Sequence, residues 1–361
     1  MSRLTLSYSL ADQTFERTKS LGILNLSVQL CQHLARSDAF QQLSVFSNRF
    51  LSDRLVVPPG VRIEEFDSAA NSRLGRMMWD QWRCYSAAAR AGHQWLFLPK
   101  GFASFTRSPP VKLAAYVHDA MHDFYSRQFP RAIPRFERWY FRQSLIATLR
   151  RADVIFTNTE FTRSEVLRLA RQYRLPAPRV IAAGIGFSDV SELPGAKSNR
   201  IVALVGRPPH KRSELAVEWI ARWQKDRSYD GEVHLIGSLP SAVQAPPTWR
   251  VHPRLTDAQY EELLRSARVV VYFSDYEGFG MPPVEAILRG ACAVFSDLPA
   301  MREVMPQIGF AFSNTAFETF RRAMDGSMSA VSEAIAGWRR KLLKQHAWDV
   351  VIQRIVGGLA G

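Results

Sequence analysis

Two runs of alternating strand-like and helix-like sequence, separated by one polar stretch, restrict the fold of this chain more than any other feature. In the first run, short apolar segments lie at residues 4–10, 43–47, 94–99, 111–119 and 152–159, with polar or helical sequence between them. Such alternation is typical of parallel strands joined by helices. The first half is therefore predicted to be a doubly wound α/β domain.

A second run of the same kind follows the stretch GIGFSDVSELPGAKSNR (184–200), which is rich in glycine, serine and charge. Its apolar segments lie at residues 201–206, 233–237, 269–274 and 291–296. Helices are predicted from about Ser213, through 257–267, from about Pro283 and within 347–361. Because stretches rich in glycine and polar residues mark linkers, we predict one Rossmann-like domain over 1–187 and another over 188–346.

Chain length and composition agree with two globular domains. The chain has 361 residues, 47% hydrophobic and 22% charged, and a single core rarely grows beyond about 250–300 residues. No apolar run approaches the ~20 residues that span a bilayer, and the N-terminus lacks a signal-peptide pattern, so we expect a cytoplasmic protein. The three cysteines are scattered and lack C-x-x-C spacing, which argues against a disulfide framework or a zinc site.

The chain carries a surplus of positive charge, with 47 Lys and Arg against 33 Asp and Glu, or +14 at pH 7. A surplus of this size is typical of proteins with an anionic partner, whether nucleic acid, a lipid surface or a phosphorylated ligand. A nucleic-acid-binding protein would use a basic stripe interleaved with exposed aromatic residues, and WDQWRCY (79–85) is one candidate. Its aromatic residues fit a buried helix face equally well.

The segment SDYEGFGMPPVEAILRG (274–290) follows an apolar strand and leads into a helix. Gly278 and Gly280 permit a close approach of the backbone to a ligand, and the free N–H groups of the new helix can bind a phosphate. Pro282 and Pro283 suit a helix start, where proline loses no hydrogen bond. The segment therefore predicts a phosphate-binding helix N-terminus.

Two acids of the same segment, Glu277 and Glu285, are candidates for binding hydroxyl groups. Glu285 is predicted to lie in the first turn of the helix, where a carboxylate can accept both hydroxyls of a ribose. Glu277 lies at the strand end, within reach of a sugar hydroxyl. The alternative is that both acids only offset the helix dipole, but their spacing of eight around Gly-Phe-Gly-x-Pro-Pro argues against capping alone.

Basic residues follow the strand-like segment 201–206. Arg207 and Lys211 lie there together with Gly206 and Arg212, and the carboxyl end of a parallel strand opens onto a ligand crevice. Two cations in this position can neutralise the charge that develops on a departing diphosphate. The alternative is a solvated basic loop.

The segment HDAMHD (118–123) contains His118 and His122 four residues apart, a spacing that binds metal when both lie on one helix face. His118 instead ends an apolar strand, so we favour a role without metal and predict His122 and Asp123 to be loop residues. The sequence contains no D-x-D pair of the kind that ties Mg²⁺ or Mn²⁺ to a diphosphate. We therefore expect no metal and no cofactor, with the basic residues replacing the metal.

The string EGFGMPPVEA resembles the E-x7-E motif of the retaining GT-B glycosyltransferases of family four, in which EGFGLP-x-x-EA is typical. The resemblance extends in order over nearly the whole chain, through KSLGI, the YVHD segment ending at Asp119, TNTEFTRSEVL (157–167), GIGF, VGRPPHKR (205–212), SDLPAMREV (296–304) and the AW pair at 347–348. Arg207 and Lys211 are separated by fewer residues than in many relatives, so Arg212 is an alternative to the lysine.

The resemblance implies two Rossmann-like domains with the donor in the cleft between them, and a C-terminal helix within 347–361 that packs back on the first domain. It implies sugar transfer from a nucleotide-diphosphate donor with retention of anomeric configuration and without a metal. The implied donor contacts are Glu285 to ribose, Glu277 to the sugar, Arg207 and Lys211 to the diphosphate, and Gly206, Arg212, Gly278, Phe279, Gly280, Met281 and Pro282 around them. Gly22 would allow close backbone approach, and His118 would face the reacting sugar.

A nucleotide-sugar epimerase on the same scaffold is the alternative enzyme, and it would isomerise the sugar without transferring it. Nucleic-acid binding leaves EGFGMPPVEA without a role, so we expect no nucleic-acid partner. The expected acceptor is a saccharide or lipid-linked saccharide of cell-surface glycan synthesis. The sequence does not distinguish among GDP-mannose, UDP-sugars and dTDP-sugars as the donor.

The segment RAIPRFERWYFRQSLIATLRR (131–151) predicts a helix that faces a membrane. Four of its arginines are four, three and four residues apart, which places them on one helical face. They are Arg131, Arg135, Arg138 and Arg142, with Phe136, Trp139 and Tyr140 as apolar bulk nearby. We expect this stripe to bind anionic headgroups on the inner face of the cytoplasmic membrane. The alternative is the solvated face of a packed helix whose start Pro134 delays.

Overall fold

A computed structural model describes residues 3–16, 21–189 and 197–361 of the chain. In these ranges, no helix is both long and apolar enough to cross a membrane. The chain divides into two compact units, of which the first comprises Met1–Gly186 with Trp348–Gly361 and the second comprises Phe187–Ala347. Part of the linker predicted at 184–200, residues 190–196, lies outside the described residues.

The first unit is built on a parallel sheet. Its strands are β1 (Leu4–Ser9), β2 (Phe40–Ser47), β3 (Arg62–Glu65), β4 (Trp95–Leu98), β5 (Lys112–Val117), β6 (Val154–Thr157) and β7 (Val180–Ala182). They pair in the order β3-β2-β1-β4-β5-β6-β7, and each of these pairs is parallel. The order reverses between β1 and β4, so the loops after these two strands open side by side at the carboxyl edge.

Helices cover both faces of this sheet. They include α1 (Leu21–Ala35), α2 (Asp67–Ala70), α3 (Arg73–Met78), α4 (Cys84–Ala91), α5 (Met121–Gln128), α6 (Arg135–Arg151) and α7 (Glu160–Gln172), with a 3₁₀ turn at Arg49–Leu51 and a π-helical turn at Trp79–Arg83. On one face Phe97 stacks on Tyr8, with ring centroids 5.1 Å apart. On the other face Trp79 packs against Phe46 at 5.9 Å. Burial on both faces explains why the strands β4, β5 and β6 are almost wholly apolar.

The second unit repeats this plan. Its strands are β8 (Arg200–Leu204), β9 (Glu232–Ile236), β10 (Arg250–His252), β11 (Val269–Tyr272), β12 (Cys292–Ser296) and β13 (Phe310–Phe312). Its helices are α8 (Ser213–Asp226), α9 (Asp257–Ser266), α10 (Met281–Leu288), α11 (Pro299–Val304), α12 (Phe317–Met328) and α13 (Ser332–Gln345), with a 3₁₀ turn at Pro209–Lys211. The parallel strand order β10-β9-β8-β11-β12-β13 reverses between β8 and β11. The prediction of two Rossmann-like α/β sheets is confirmed.

The chain returns to the first unit through its last helix, α14 (Trp348–Ala360). Trp348 stacks on His33 of α1, with ring centroids 4.4 Å apart. Gly358 lies so close to the sheet that a Cβ at this position would be 2.6 Å from Phe156 Cε1, whereas Gly357 faces open space. Two glycines lower the helix propensity of this segment. The helix nevertheless continues through both, because Gly358 lets it approach the sheet closely.

Alanine substitutions at the two adjacent glycines of α14 should have opposite effects on stability. Gly358→Ala places a methyl group against the Phe156 ring, and overpacking of this kind typically costs about 1–3 kcal/mol. Gly357→Ala is the matched control, since it fills open space and alanine favours a helix by up to about 1 kcal/mol over glycine. Calorimetric unfolding of the full chain measures both changes. Equal melting temperatures for the two variants would contradict the close packing.

Candidate active site

The loops after β8 and β11 lie side by side because the strand order of the second sheet reverses between these strands. The first loop spans 205–212 and the second spans 273–280. The backbone N–H of Asp275 donates to the carbonyl oxygen of His210 at 2.8 Å and so ties the two loops together. Apart from Gly22 and His118, the site residues predicted from the sequence all lie on these loops or on α10, which follows the second loop.

Lys211 and Glu277 form a partly buried ion pair at the centre of this site, with side chains 25% and 14% exposed. Glu277 Oε1 accepts hydrogen bonds from Lys211 Nζ at 2.8 Å and from the hydroxyls of Tyr272 at 2.7 Å and Ser274 at 2.8 Å. Burial opposes both charges. The Lys211 ammonium nevertheless holds the pKa of Glu277 below its usual range, and the Glu277 carboxylate holds the pKa of Lys211 above its usual range. Both groups are therefore ionised at neutral pH.

This network restricts which atoms of Glu277 are available to a ligand. Oε1 is occupied by three donors, whereas Oε2 has no hydrogen bond to any described residue. The sequence analysis missed Tyr272 and Ser274. A signal for Tyr272 was present, because a hydroxyl group that ends the buried segment VVVY usually has a hydrogen-bond partner.

Helix α10 begins at Met281 directly after Gly280, whose φ of +86° lies in the left-handed region that favours glycine. A Cβ on Gly280 would also overlap Met301 Sδ. Pro282 lies in the first turn of α10, as predicted, and that turn contains no acidic residue. Pro282 and Pro283 have no N–H, so the N–H groups that this helix start can offer to an anion are those of Gly280 and Met281, and no carboxylate of the same turn opposes the anion.

Glu285 lies in the second turn of α10, so the prediction of a first-turn position was wrong. The helix starts at Met281, ahead of the two prolines, and this moves Glu285 one turn further along. The hydroxyl of Tyr260, from α9, donates to Glu285 Oε2 at 2.7 Å and orients the carboxylate. Glu285 Oε1 has no hydrogen bond to any described residue, so one oxygen remains for a ligand.

Gly278 and Phe279, at the end of the second loop, are buried. The Phe279 ring packs against His346 and Phe187, with centroids 5.3 and 5.9 Å away. The side chain of Phe279 thus serves packing, which leaves its backbone amide for any ligand contact.

The two arginines of the first loop have different surroundings. Arg207 is exposed and has no ion pair or hydrogen bond to a described residue. Arg212 Nε pairs with Asp275 Oδ2 at 2.7 Å. Lys211, rather than Arg212, therefore reaches the centre of the site. Gly206 keeps the space beside it open, since a Cβ there would be 3.3 Å from Lys211 Cγ.

His118 lies in the first unit, directly after β5, and is buried. Its Nε2 is 2.6 Å from the carbonyl oxygen of Pro99, and because a carbonyl only accepts, Nε2 must donate. Burial lowers the pKa of His118 to about 4. The ring is therefore neutral at physiological pH, with Nδ1 as an acceptor. Gly22, also in the first unit, lies in the first turn of α1, and residues 17–20 before it lie outside the described residues.

His122 and Asp123 belong to α5, so the prediction that they are loop residues was wrong. Asp119 Oδ1 accepts from the N–H of Met121 at 2.8 Å, which lets the helix begin immediately after the strand. Asp123 pairs with Arg168 at 2.7 Å. Over the described ranges, no group of three or more His, Cys, Asp or Glu side chains could hold a metal ion.

The predicted arginine stripe is only partly helical. Helix α6 begins at Arg135 with Pro134 at its N-cap, so Arg131 lies in the turn before it. Tyr140 is buried and therefore adds no apolar bulk to the exposed face that carries the arginines, contrary to the prediction. The aromatic residues that remain exposed are Phe136 and Trp139, at 50% and 48%.

Known proteins resemble this chain at both the sequence and the fold level. Residues 199–328 match the family described as Glycosyl transferases group 1. The second unit thus resembles a group 1 glycosyl transferase domain. Two Escherichia coli proteins are each similar to this chain over 224 residues. The serotype-specific mannosyltransferase WbdA is 21% identical, and the match covers 54% of this chain and 27% of WbdA. O-antigen chain mannosyltransferase B is 25% identical, and the match covers 52% of this chain and 55% of that protein. The chain therefore matches only about half, or less, of either relative's length.

Solved structures resemble this chain over nearly its whole length. The sucrose-phosphate synthase of Thermosynechococcus elongatus has a TM-score of 0.70 at 14% identity, covering 99% of this chain and 98% of its own. HepE of Anabaena, solved in complex with UDP-glucose, has a TM-score of 0.66 at 13% identity, covering 99% and 100%. At these identities the likeness concerns the fold alone, and it confirms the GT-B fold prediction.

Removing the lysine of the buried ion pair should destabilise the second unit. Lys211→Met leaves the partly buried Glu277 charge without its counter-ion. Breaking a fully buried pair from one side typically costs about 3–5 kcal/mol, and we expect a smaller loss here because both side chains keep some solvent exposure. The double variant Lys211→Met/Glu277→Gln should recover most of this loss because it removes the second charge. Arg207→Ala is the control, since Arg207 is exposed and has no ion pair or hydrogen bond to a described residue. Calorimetry measures all four proteins, and wild-type stability of the single lysine variant would be inconsistent with a buried pair.

Proposed function

We propose that the chain is a glycosyltransferase that moves a sugar from a nucleotide-diphosphate donor to a saccharide or lipid-linked saccharide acceptor in cell-surface glycan synthesis. The proposal rests on one observation: the loop that carries Arg207 and Lys211 lies beside the loop that leads into the helix start at Met281, where the second sheet reverses its order. The match to Glycosyl transferases group 1 and the names of the two mannosyltransferases support this activity.

Each part of the donor has candidate contacts in this site. The free Oε1 of Glu285 accepts the ribose hydroxyls, and Arg207 and Lys211 neutralise the diphosphate. Glu277 contacts the donor sugar through Oε2. The backbone amides that bind phosphate and sugar oxygens are those of Phe279, Gly280 and Met281.

We propose a retaining and metal-independent transfer. The acceptor hydroxyl attacks from the side of the leaving group, and its proton passes to the departing phosphate oxygen as the bond between sugar and phosphate breaks. Arg207 and Lys211 stabilise the charge that grows on the diphosphate, and the protein otherwise acts by positioning. The lack of a D-x-D pair in the sequence supports independence from metal.

Mannose is the first donor sugar to test, because both E. coli relatives are named mannosyltransferases. An epimerase on the same scaffold would return an isomerised nucleotide sugar instead of a new glycoside. Product analysis with GDP-mannose in the presence of EDTA therefore separates the proposed transfer from isomerisation and from metal-dependent transfer.

Nucleotide binding tests the donor site directly. Among GDP, UDP, dTDP and ADP, at least one should raise the melting temperature of the wild type, because a ligand that binds only the folded state stabilises it by RT ln(1 + [L]/Kd). Glu285→Ala should fold normally and lose most of this shift. The control is Glu218→Ala, an exposed glutamate of α8, which should keep the shift. A full shift in Glu285→Ala would rule out its ribose role, and a wild type that responds to no nucleotide would rule out the donor site.

We also propose that the first unit binds an anionic lipid surface. In addition to the arginines of 131–142, three apolar side chains are exposed at four-residue spacing along α3 and the following π-helical turn. They are Leu74, Met78 and Trp82, with exposures of 67%, 37% and 41%. Arg73 lies over the Phe136 ring, 5.7 Å from its centroid, so this apolar row adjoins the start of α6. Basic and apolar side chains on one surface are typical of membrane-interface segments.

Vesicle sedimentation tests the lipid proposal. Wild type should pellet with phosphatidylglycerol vesicles at low salt and be released at high salt, since each basic residue near an anionic surface contributes about 1 kcal/mol. Arg131→Glu/Arg135→Glu should stay in the supernatant, because both side chains are exposed. Arg138 is left intact because it donates to the Pro130 carbonyl oxygen at 2.8 Å. The control Arg90→Glu/Arg171→Glu makes the same charge change elsewhere and should still pellet. Equal sedimentation of the two double variants would refute a specific surface.

A further inference from the structure

Helix α9 begins at a position that its own sequence fixes. Thr256, its N-cap, and Gln259 form a capping box, in which Thr256 Oγ1 accepts from the N–H of Gln259 at 3.2 Å and Gln259 Oε1 accepts from the N–H of Thr256 at 3.0 Å. A capping box satisfies N–H groups that a helix start otherwise leaves free. The N–H of Tyr260 then donates to the carbonyl oxygen of Thr256 at 2.9 Å. The backbone of Tyr260 is therefore held in the first turn of α9.

An ion pair joins α9 to α10. Arg289, directly after α10, donates from Nε to Glu261 Oε2 at 2.7 Å and from Nη1 to the carbonyl oxygen of Glu285 at 3.2 Å. The Arg289 and Glu261 side chains are 16% and 31% exposed, so solvent ions screen their attraction less than at a fully exposed position. Because Glu261 follows Tyr260 in α9, this pair keeps Tyr260 close to Glu285.

The Tyr260 hydroxyl sets the orientation of the Glu285 carboxylate. It donates to Oε2 at 2.7 Å, and hydrogen bonds to an ionised acceptor are the stronger kind. Desolvation and the nearby Glu285 carboxylate hold the pKa of Tyr260 well above its usual range, so the hydroxyl keeps its proton and remains a donor. The last side-chain torsion of a glutamate is otherwise broad. The bond to Oε2 therefore decides where the other oxygen, Oε1, lies.

Glu285 Oε1 is open to a ligand. It has no hydrogen bond to any described residue, and it is not among the buried side-chain atoms that lack a partner in the described ranges. Glu285 as a whole is half-buried, so Oε1 lies at the surface of the site. A carboxylate oxygen accepts more than one hydrogen bond, and Tyr260 occupies a single accepting position on Oε2. The carboxylate can therefore accept from two neighbouring hydroxyl groups of one sugar ring.

A carboxylate held in this way discriminates between ligands by the hydroxyl groups that they donate. A ribose offers neighbouring 2′- and 3′-hydroxyls, whereas a 2′-deoxyribose lacks the first. A site built to bind a hydroxyl group rejects an analogue without it, because the polar group of the site is left unpaired. Glu285 cannot compensate by turning its carboxylate, since Tyr260 holds Oε2. Loss of the 2′-hydroxyl should therefore weaken binding directly.

We propose that Tyr260 is a positioning residue that makes the candidate donor site selective for ribose over deoxyribose. The donor is then a sugar linked to a ribonucleoside diphosphate, and dTDP-sugars are disfavoured. The inference rests on the proposed function, to which it adds the class of donor nucleotide and the residue that selects it. All of the contacts that support it lie within the second unit.

Calorimetric titration of the full chain with GDP, UDP and ADP, each compared with its 2′-deoxy form, tests this selectivity. Wild type should bind the ribose form of at least one of them at least about tenfold more tightly than the deoxy form, equivalent to about 1.4 kcal/mol. Tyr260→Phe should reduce this preference about fivefold, because the carboxylate becomes free to turn away from the ribose. Glu285→Gln should also reduce it, since an amide nitrogen replaces one accepting oxygen.

Tyr229→Phe is the matched control, because it removes a tyrosine hydroxyl that is buried and has no hydrogen-bond partner among the described residues. It should keep the wild-type affinities for both forms of each nucleotide. Melting temperatures without nucleotide show whether each variant folds, and Tyr260→Phe should melt close to wild type because it keeps the ring. If Tyr260 served only the structure, its variant would bind both forms more weakly and leave their ratio unchanged.

Three results would overturn the inference while the donor site stands. They are equal affinity of the wild type for the ribose and deoxyribose forms, tighter binding of dTDP than of every ribonucleotide, and an unchanged preference in Tyr260→Phe or Glu285→Gln. If the wild type binds none of these nucleotides, the donor site itself is wrong, and the inference fails with it.

Discussion

Parallel strand pairing is the constraint on which both units depend. Parallel strands need crossover connections, and the helices in those connections cover both faces of the sheet. The central strands then have no solvent face, so their polar side chains can meet a ligand only where these strands end. Strand β11 shows this directly: its valines are buried, and the polar residues of the site begin with Tyr272 at its carboxyl end.

Each of the two reversal points holds an ion pair that joins a side chain from one loop to a side chain from the other. In the second sheet, Lys211 follows β8 and meets Glu277, which follows β11. In the first sheet, Asp12 follows β1 and meets Lys100, which follows β4. A single buried charge would be strongly destabilising, whereas a pair with additional hydrogen bonds is tolerated. Each pair also joins the two loops at its reversal point.

The two ion pairs differ in how many of the polar atoms in and beside them have hydrogen-bond partners. Three donors converge on Glu277 Oε1, and this arrangement holds the loops of the candidate donor site in one geometry. Asp12 Oδ1 and Gln13 Nε2 are left without partners among the described residues. The Lys211–Glu277 pair is therefore a fixed support within the candidate donor site, whereas the Asp12–Lys100 pair lies beside two buried polar atoms that lack partners. Fixed dipoles and charges of this kind are what a transfer reaction by positioning requires.

The sequence by itself determined the fold class and most residues of the candidate donor site. Alternation of apolar and helical segments predicts parallel sheets because each element must bury its apolar side, and EGFGMPPVEA places glycine, proline and acid within one short stretch of chain. The local sequence pattern also predicted the wrong position for some residues. Glu285 lies in the second turn because α10 starts ahead of its prolines, and His122 is helical because α5 starts at Met121, whose N–H donates to the Asp119 side chain. Tyr140 turned inward to Asp80, a residue sixty positions earlier in the chain.

Only the tertiary structure decided which side chains pair. Lys211 meets Glu277 across 66 positions of sequence, and Lys100 meets Asp12 across 88. Periodicity carries no information at such separations. The partner of a buried charge depends on which strands are neighbours in the sheet, because neighbouring strands place their following loops side by side. The same reason explains why the sequence analysis named Lys211 and Glu277 singly and did not find Asp12, Gln13 or Lys100. The chain specifies its elements locally, and the reversal of strand order in each sheet then selects the residues that form its sites.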